Sequence, residues 1–383
     1  MRIAVVTPIP TPYRDAFWNV ISAQPGVDLH LLYCAWGKAD RPWKNDWPMR
    51  YPHTFLKGWN LLAWKAMEAS LYLNPVIIRS LSSLKPDAIV IGGYNHFTMW
   101  MAMFWARLTH TPYFLMCETH KSDNKKGILK NLRTMLLKWI ARTSNGALPT
   151  GQQASLYLQE YGWEIRNLFE LPNIPDIEAI ESITRSLHQQ KKVLRNKWGV
   201  KNQRIIVCVG RLVQKKHVDH LIKSFAQLKT AYNVRLVIVG NGDQEEILKQ
   251  LCRQQQVTDR VQFTGFLDPQ EILEWLTISE IFALASNETW GVAPIEAAAA
   301  GKFILLSSGV GSATELAKRY AHLKIIAHGN MQAWKNALEH ALKKTGKENE
   351  KLSENKNLSP WHLETQACQF LNYLKNTSGI GGI

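Results

Sequence analysis

The chain has 383 residues, which is long enough for two domains of ordinary size, and 46% of them are hydrophobic, enough to fill two cores. Its net charge of +15 and its 15 tryptophans favour an anionic partner, which is nucleic acid, a lipid surface or a phosphorylated substrate. No apolar run reaches about 18 residues, and the five cysteines show neither metal spacing nor a disulfide framework, which argues against a membrane-spanning helix and a secreted disulfide scaffold.

The amino-terminal part, up to about residue 172, is predicted to alternate strands with helical or irregular segments. This alternation is typical of a parallel, doubly wound sheet. Met1 leads directly into the first strand, so no signal peptide is expected, and the reducing cytosol is the expected compartment. The predicted strands are residues 3–7, 27–33, 88–92, 113–118 and 146–149.

Residues 127–142 are predicted to form a basic amphipathic helix. Apolar residues that include Leu132, Met135 and Trp139 recur on one stripe, and lysines and arginines flank it. Such a helix suits an anionic membrane interface, but the stripe is equally consistent with a helix that covers a domain core. Residues 36–64, in which tryptophans mix with basic residues, form a second candidate surface.

The carboxyl-terminal part repeats the alternation. Residues 172–176, Pro-Asn-Ile-Pro-Asp, are predicted to be an extended linker, and a polar helix over residues 182–198 follows. The predicted strands are residues 204–209, 234–239, 261–263, 281–285, 303–306 and 323–326, and a final helix covers residues 360–374. The expected fold is therefore α/β with two Rossmann-like, doubly wound domains, residues 1–175 and 176–358, and a terminal segment, residues 359–383.

Two carboxylates, Glu288 and Glu296, stand eight residues apart where a predicted strand gives way to a helix. The loop Thr289-Trp290-Gly291 between them would direct backbone N–H groups and the positive end of the helix into the crevice above the sheet. The two glutamates are then placed to bind hydroxyls on either side of a bound phosphate, as in a sugar nucleotide. Either one alone is also consistent with a solvated residue.

Basic residues follow an earlier predicted strand. Gly210 opens a tight turn after residues 204–209, and Arg211 and Lys216 lie on the loop that leads to the next helix. Open α/β sheets bind ligands at the carboxyl ends of their strands. Arginine offers a planar fork to phosphate oxygens and lysine a point charge. The alternative is a solvated basic loop.

In this order, the segments resemble the donor-binding half of a GT-B glycosyltransferase, and of glycosyltransferase family 4 in particular. The elements are Gly210-Arg211 with Lys216, Val237-Ile238-Val239-Gly240-Asn241-Gly242, Phe263-Thr264-Gly265-Phe266, and Glu288 with Glu296. The resemblance covers residues 200–320 well and the amino-terminal half only loosely. It implies domains that face each other across a cleft, a retaining reaction and a nucleotide-sugar donor, with uridine as the first expectation for the base.

The resemblance also implies roles in the second domain. Arg211 and Lys216 would neutralise the departing diphosphate, so that neither a metal ion nor another cofactor is expected. Glu288 would bind donor-sugar hydroxyls, and Glu296 the ribose diol. The other donor-binding candidates are Gly210, Gly240, Gly242, Phe266, Leu267, Thr289, Trp290, Gly291 and Val292. The glycines are equally explained by strand-end turns that folding requires.

In the first domain the resemblance implies an acceptor site beside the strand ends. Glu118 and His120 end a predicted strand, and either is a candidate catalytic helper. Arg14 either meets a lipid-linked diphosphate or only starts a helix. The acceptor-binding candidates are Pro12, Tyr13, Arg14, Gly93 and Tyr94. His217 departs from the family pattern, because a small residue usually follows the lysine there.

Three functions stay open. The first is a glycosyltransferase, peripheral on the inner face of the cell membrane, that uses a lipid-linked or saccharide acceptor in surface polysaccharide or lipopolysaccharide biosynthesis. The second is a GT-B enzyme with a soluble acceptor, or a sugar-nucleotide epimerase. The third is a non-enzymatic basic protein that binds a membrane surface. Nucleic acid is not an expected partner, because the basic residues lack the signature of an RNA-recognition module.

Overall fold

The computed structural model describes residues 1–37, 47–62, 70–119, 128–200, 202–345 and 356–379. The chain divides into two compact units, Met1–Pro175 with Leu363–Ile383, and Asp176–His362. The second unit thus ends at His362 rather than at residue 358. The reason is Trp361, whose indole is buried within that unit 6.0 Å from the ring of Trp290.

The first unit is built on a six-stranded parallel sheet with the order β3-β2-β1-β6-β7-β8, and a short antiparallel pair, β4-β5, lies outside it. The strands are β1 (Arg2–Thr7), β2 (Asp28–Tyr33), β3 (His53–Phe55), β4 (Trp59–Asn60), β5 (Tyr72–Leu73), β6 (Ala88–Gly92), β7 (Tyr113–Cys117) and β8 (Gly146–Pro149). Every strand predicted in this half is present to within one residue. Sequence reading missed β3, which is a three-residue edge strand without an apolar run.

Five helices of the first unit are α1 (Pro12–Ser22), α2 (Ile77–Leu84), α3 (Phe97–Leu108), α4 (Ile128–Thr143) and α5 (Gln152–Gln159). Helix α1 begins with a proline, whose missing N–H has no partner in a first turn anyway. Ile89 and Ile91 of β6 and Met99 and Met103 of α3 are fully buried in one core cluster. Burial of each such side chain stabilises the unit by about 1.5–3 kcal/mol.

The second unit has a six-stranded parallel sheet with the order β11-β10-β9-β12-β13-β14. Its strands are β9 (Arg204–Val209), β10 (Val234–Val239), β11 (Val261–Gly265), β12 (Ile281–Leu284), β13 (Phe303–Ser307) and β14 (Leu323–Ile326). Its helices are α6 (Ile177–Gln189), α7 (Lys191–Lys197), α8 (Val218–Ala226), α9 (Glu245–Gln254), α10 (Pro269–Ile278), α11 (Ala293–Ala299), α12 (Ala313–Ala317) and α13 (Met331–Thr345).

The predicted polar helix over residues 182–198 is divided into two helices in the structure, and the first of them, α6, starts earlier than predicted. Asp176 caps α6, and its carboxylate accepts the N–H of Ala179 at 3.0 Å. The helix ends at Gln189, and Gln190 separates it from α7. Sequence periodicity does not reveal this start, because Asp176 belongs to the proline-containing stretch that is predicted to be a linker.

The last helix, α14 (Leu363–Ser378), is part of the first unit. It starts at Leu363 rather than at residue 360, because Ser359–Trp361 forms a 3-10 turn. Phe370 of α14 packs edge-on against Phe17 of α1 at 5.6 Å, and the Tyr373 hydroxyl donates to the carbonyl of Asn167 at 2.7 Å. The helix therefore completes the core of the first unit.

Both sheets have the same strand order. The order reverses between β1 and β6 in the first sheet and between β9 and β12 in the second. In such sheets ligands bind beyond the carboxyl ends of the strands at the reversal. The loops after β1 and β6, and those after β9 and β12, are therefore where each unit is expected to hold a ligand.

Candidate functional site

The loops after β9 and β10 are packed backbone against backbone. The N–H of Gly210 donates to Val239 O at 3.0 Å, and that of Leu212 to Asn241 O at 2.8 Å. A Cβ atom at Gly240 would collide with the Gly210 carbonyl oxygen, and Gly240 also has φ +129°. Folding alone therefore requires glycine at position 240.

Lys216 and Glu288 meet at the reversal of the second sheet. Lys216 ends the 3-10 turn Gln214–Lys216, which follows Arg211 in the loop after β9. Its Nζ donates to Oε2 of Glu288 at 2.7 Å, and the two side chains are 13% and 16% exposed. Sequence reading gave the two residues separate roles, and the structure joins them in one largely buried ion pair.

The second carboxylate oxygen of Glu288 is unused. Oε1 is buried and has no hydrogen-bond partner among the described residues. The backbone around it is fixed, because the N–H of Glu288 donates to Gly309 O at 3.0 Å and its carbonyl accepts from Gly311 N at 3.0 Å. Buried polar atoms in native structures are nearly always satisfied, so an unused carboxylate oxygen here is suited to accept a ligand hydroxyl.

Gly291 keeps the space next to this carboxylate open. It has φ +97°, and a Cβ at this position would lie 3.3 Å from Glu288 Oε1. Thr289 is half-buried, and Val292 precedes the first turn of α11. The Trp290 indole is 4% exposed and packs in the interior of the unit. The predicted contribution of this loop, its backbone N–H groups, stays a prediction.

Sequence reading missed the loop after β13 as part of this site. Gly309 and Val310 pair with Glu288, and the N–H of Ser312 donates to the Trp290 carbonyl at 2.9 Å. The run Ser307-Ser308-Gly309-Val310-Gly311-Ser312 was the available signal, since small residues at a strand end allow close approach of another backbone.

Glu296 lies in the first turn of α11. It is half-buried, and no side chain among the described residues donates to its carboxylate. Burial raises the pKa of this carboxyl to about 7. A carboxylate without a protein donor at the start of a helix is chemically able to accept a hydroxyl from a ligand.

Phe266 and Leu267 follow β11. The Phe266 ring is 42% exposed, and Leu267 is half-buried. The preceding carbonyl, of Gly265, accepts the N–H of Gly240 at 2.8 Å. This bond connects the loops after β10 and β11, so all four strands β9 to β12 contribute loops to one region.

The first unit contains a cavity of about 210 Å³ at the reversal of its own sheet. Its wall is formed by the loops after β1, β6 and β7. Tyr13, Gly93, Tyr94 and Glu118 line it, as do Thr7, Asn95 and Thr119 at the same strand ends. Pro12, the first residue of α1, is not in this lining within the described chain.

Arg14 lines the cavity, but its charge is held by the protein backbone. The side chain is 7% exposed, and Nη2 donates to Leu171 O at 3.0 Å and Nη1 to Pro172 O at 3.4 Å. Burial lowers the pKa of the guanidinium. Arg14 therefore anchors residues 171–172 through two of its donors while it also lines the cavity, and its contact with an acceptor diphosphate stays a prediction.

Glu118 is exposed, and Asn173 Nδ2 donates to its Oε1 at 2.8 Å. His120, the other candidate helper, lies outside the described residues. Tyr94 is buried, and its hydroxyl accepts a hydrogen bond from Arg133 Nε of α4 at 3.2 Å. Of the two candidate helpers, the structure thus shows Glu118 in the cavity wall.

Helix α4 has two apolar faces. Leu137 and Ile140 are fully buried in the core of the first unit. Leu132, Met135 and Trp139 are 58%, 69% and 38% exposed and recur three and four residues apart, which places them on one line. One face of α4 therefore covers the core of the first unit, and a second apolar face is exposed to solvent.

Helix α3 presents a similar line of exposed side chains, formed by Trp100, Phe104 and Leu108. Trp100 Nε1 donates to the Tyr94 carbonyl at 2.7 Å. Tyr94 is thus bonded to both α3 and α4. Within the described parts of the chain, the helices are too short or too polar to cross a bilayer.

Residues 190–358 match the family described as glycosyl transferases group 1. An uncharacterized glycosyltransferase of Methanocaldococcus jannaschii is 32% identical over 132 residues, which is 34% of each chain. The alpha-monoglucosyldiacylglycerol synthase of Acholeplasma laidlawii is 27% identical over 121 residues, 31% of this chain and 30% of that one. The chain spans about a third of the length of these curated relatives.

Among solved structures, Anabaena Alr3699/HepE in complex with UDP aligns with a TM-score of 0.77 at 18% identity, and the alignment covers 98% of this chain and 100% of that one. At this identity the likeness concerns the fold. The predicted fold class, α/β with two Rossmann-like halves of the GT-B type, is confirmed.

Proposed function

We propose that the protein is a retaining glycosyltransferase, and the match of residues 190–358 to the family described as glycosyl transferases group 1 supports the transferase part of this proposal. It moves a sugar from a nucleotide diphosphate sugar to a lipid-linked or saccharide acceptor in the synthesis of surface polysaccharide or lipopolysaccharide. The observation that supports this most is the buried Lys216–Glu288 pair, whose carboxylate keeps one oxygen without a partner.

In the proposed donor complex, Lys216 and Arg211 bind the diphosphate. The bond between the anomeric carbon and the diphosphate oxygen breaks, and the two cations stabilise the negative charge that develops on that oxygen. Oε1 of Glu288 accepts a hydroxyl of the donor sugar. Glu296 accepts the ribose hydroxyls, and no metal ion takes part.

The acceptor hydroxyl attacks on the face from which the diphosphate departs, so the anomeric configuration is retained. The acceptor proton passes to the leaving diphosphate. Glu118 orients the acceptor from the wall of the cavity in the first unit, where Tyr13, Gly93 and Tyr94 supply further contacts. His120 stays the alternative helper.

Uridine is the proposed base of the donor. Anabaena HepE, which has the same fold, was solved in complex with UDP and with UDP-glucose. The base lies against Gly265, Phe266 and Leu267, and the exposed Phe266 ring offers a surface for stacking.

The proposed site of action is the inner face of the cell membrane. The exposed lines on α3 and α4 supply apolar contacts, and Lys138 and Arg142, also exposed on α4, face anionic headgroups. The overall charge of +15 adds a longer-range attraction to such a surface.

The test has two steps. Calorimetric titration against a panel of nucleotide sugars identifies the donor, and one uridine diphosphate sugar is expected to bind. Release of free nucleotide is then measured with and without lipid-linked acceptors, for the wild type and for Lys216→Ala and Glu288→Ala.

Nucleotide release that depends on acceptor, and that both substitutions abolish, supports the proposal. Conversion of the donor to another sugar nucleotide without release would identify an epimerase instead. Absence of any nucleotide binding, with vesicle binding intact in both variants, would identify a non-enzymatic membrane-binding protein.

A further inference from the structure

Three histidines of the second unit lie together near Lys216. His217 follows Lys216 directly, His220 lies in the first turn of α8, and His328 comes shortly after β14. The ring centroids of His217 and His328 are 4.6 Å apart, those of His217 and His220 5.0 Å, and those of His220 and His328 6.1 Å. The proposed transfer steps assign no role to these imidazoles, so the cluster is a candidate for a separate chemical function.

Ligand atoms of two of these histidines converge with a carboxylate. One ring nitrogen each from His217 and His220, and one carboxylate oxygen of Asp219, lie within 4.8 Å of one another. Nitrogen and oxygen ligands lie about 2.0–2.2 Å from a zinc ion, so two of them are separated by up to about 4 Å. Small side-chain rotations are therefore enough to bring the three atoms around one ion.

The hydrogen bonds of the cluster leave ligand positions unused. Nδ1 of His220 is buried and has no partner among the described residues. Nδ1 of His328 forms a hydrogen bond of 3.1 Å with the Ser307 hydroxyl, which orients the ring. His328 is exposed, so an ion has access from solvent.

The chemistry of the cluster favours a metal ion over a phosphate. Histidine is the commonest metal ligand in proteins, and the carboxylate beside these rings repels a phosphate. Asp219 adds the negative charge that a divalent ion needs, although Lys223 Nζ competes for its carboxylate at 2.9 Å.

We propose that His217, Asp219 and His220 bind a divalent transition-metal ion of the zinc type, with His328 or water as the fourth ligand. Imidazole and carboxylate ligands in this number suit zinc. The proposal rests on the geometry of this cluster and is independent of the transfer reaction.

Metal binding has a local consequence for the donor loop. His217 has φ +47°, a left-handed conformation that is uncommon for residues other than glycine, although asparagine, aspartate and histidine adopt it more often than the others. A bound ion holds this residue in that conformation. Because His217 follows Lys216, the ion also restricts the position of the lysine in the ion pair with Glu288.

The experiment measures zinc binding by the full chain in nucleotide-free buffer, by competition with a chromophoric chelator. The variants are His217→Asn, in which asparagine tolerates the left-handed conformation, and His220→Gln. His340→Gln is the matched control, since this exposed histidine lies on α13 outside the cluster. All proteins carry Cys368→Ser, which removes an exposed thiol that would also bind zinc.

One zinc ion per chain is expected for the parent protein and for His340→Gln, and the affinity is expected to fall by about 10- to 100-fold in His217→Asn and in His220→Gln. Lys223→Met frees the Asp219 carboxylate and is expected to tighten binding. Circular dichroism spectra show whether each variant is folded. If His217→Asn does not fold, the zinc affinity of His220→Gln alone tests the proposed site.

Absence of zinc binding by the parent protein, or equal affinity in the folded cluster variants and the control, would overturn the metal site. Donor titrations are made separately without zinc. A negative result here therefore leaves the glycosyltransferase proposal untouched, and a failure of that proposal leaves the zinc result untouched.

Discussion

Lys216 and Glu288, 72 positions apart in the chain, form an ion pair with Nζ 2.7 Å from Oε2 at the reversal of the second sheet. Both side chains are largely buried, so their charges are poorly screened by water. A diphosphate that binds Lys216 has to share the lysine with this carboxylate. The pair thereby sets the position of the cation before any ligand arrives.

The first prediction separates stability from catalysis at this pair. Lys216→Met leaves the Glu288 carboxylate buried without its cation and should lower the free energy of unfolding by about 3–5 kcal/mol. Lys216→Met with Glu288→Leu removes both charges and should recover most of this loss. Both proteins should lose transfer activity by at least about 100-fold. Chemical denaturation and initial rates give the two quantities, and an active double variant would contradict the proposed role.

The second prediction concerns pH. The pKa of Glu296 is raised to about 7 in the folded state, against an ordinary value of 4.5, so the folded chain binds the proton more tightly. This contribution to stability is present below about pH 4.5 and is lost as the pH rises through 7. Glu296→Gln should therefore match the wild type at pH 4 and exceed it at pH 8, by roughly 1–2 kcal/mol once partial exposure is allowed for.

Thermal unfolding of both proteins across this pH range checks the Glu296 prediction. Lys302, whose pKa burial lowers to about 7, adds stability as the pH rises above 7, but it does so in both proteins and cancels in the difference. Glu296→Gln should also bind the nucleotide more weakly, because the neutral amide is a poorer acceptor for ribose hydroxyls. If the stabilities of the wild type and Glu296→Gln differed by the same amount at every pH, the predicted contribution of Glu296 would be refuted.

The third prediction concerns the membrane. Met135→Ser with Leu132→Ser removes apolar area from the exposed line of α4 and should reduce binding to anionic phosphatidylglycerol vesicles by about tenfold or more. Ile247→Ser, at an equally exposed position on α9, is the control and should bind as the wild type does. Sedimentation with vesicles across a salt series measures both. Full recovery of the wild type in the supernatant at low salt would count against a membrane surface as partner.

The fourth prediction tests whether Arg14 acts mainly as an anchor for residues 171–172. Arg14→Ala leaves the carbonyls of Leu171 and Pro172 without donors and should lower the stability of the first unit by about 1–3 kcal/mol. Arg166→Ala removes an arginine that is 78% exposed and should change stability by less than about 0.5 kcal/mol. Denaturant unfolding distinguishes them. An Arg14→Ala protein of normal stability but raised acceptor KM would restore the predicted contact with acceptor diphosphate.

Sequence alone was sufficient for most of the fold because the buried parallel strands are continuous apolar runs. Residues 204–209 and 234–239 were predicted with the bounds that the structure has. Two features were not predicted from the sequence, the edge strand β3 and the start of α6. Strand β3 has only three residues, and α6 begins at an acidic cap inside a proline-containing stretch.

The site was predictable only in part. The loops were found from glycines and charges that follow strands, but which side chains touch depends on tertiary packing. Nothing in local periodicity pairs Lys216 with Glu288, buries the indole of Trp290, or turns the guanidinium of Arg14 toward the backbone. The histidine cluster was missed because His328 comes from a distant loop.

The close approach of Gly240 to Gly210, and of Gly311 to Thr289, has a consequence for redesign. These turns interlock through main-chain atoms, so no single turn can be reshaped without moving the others. In the proposed transferase, altered donor preference therefore has to come from side chains carried by these turns. Phe266, which is placed beside the proposed base, and Thr289, which follows Glu288, are better targets for combinatorial libraries than any of the glycines.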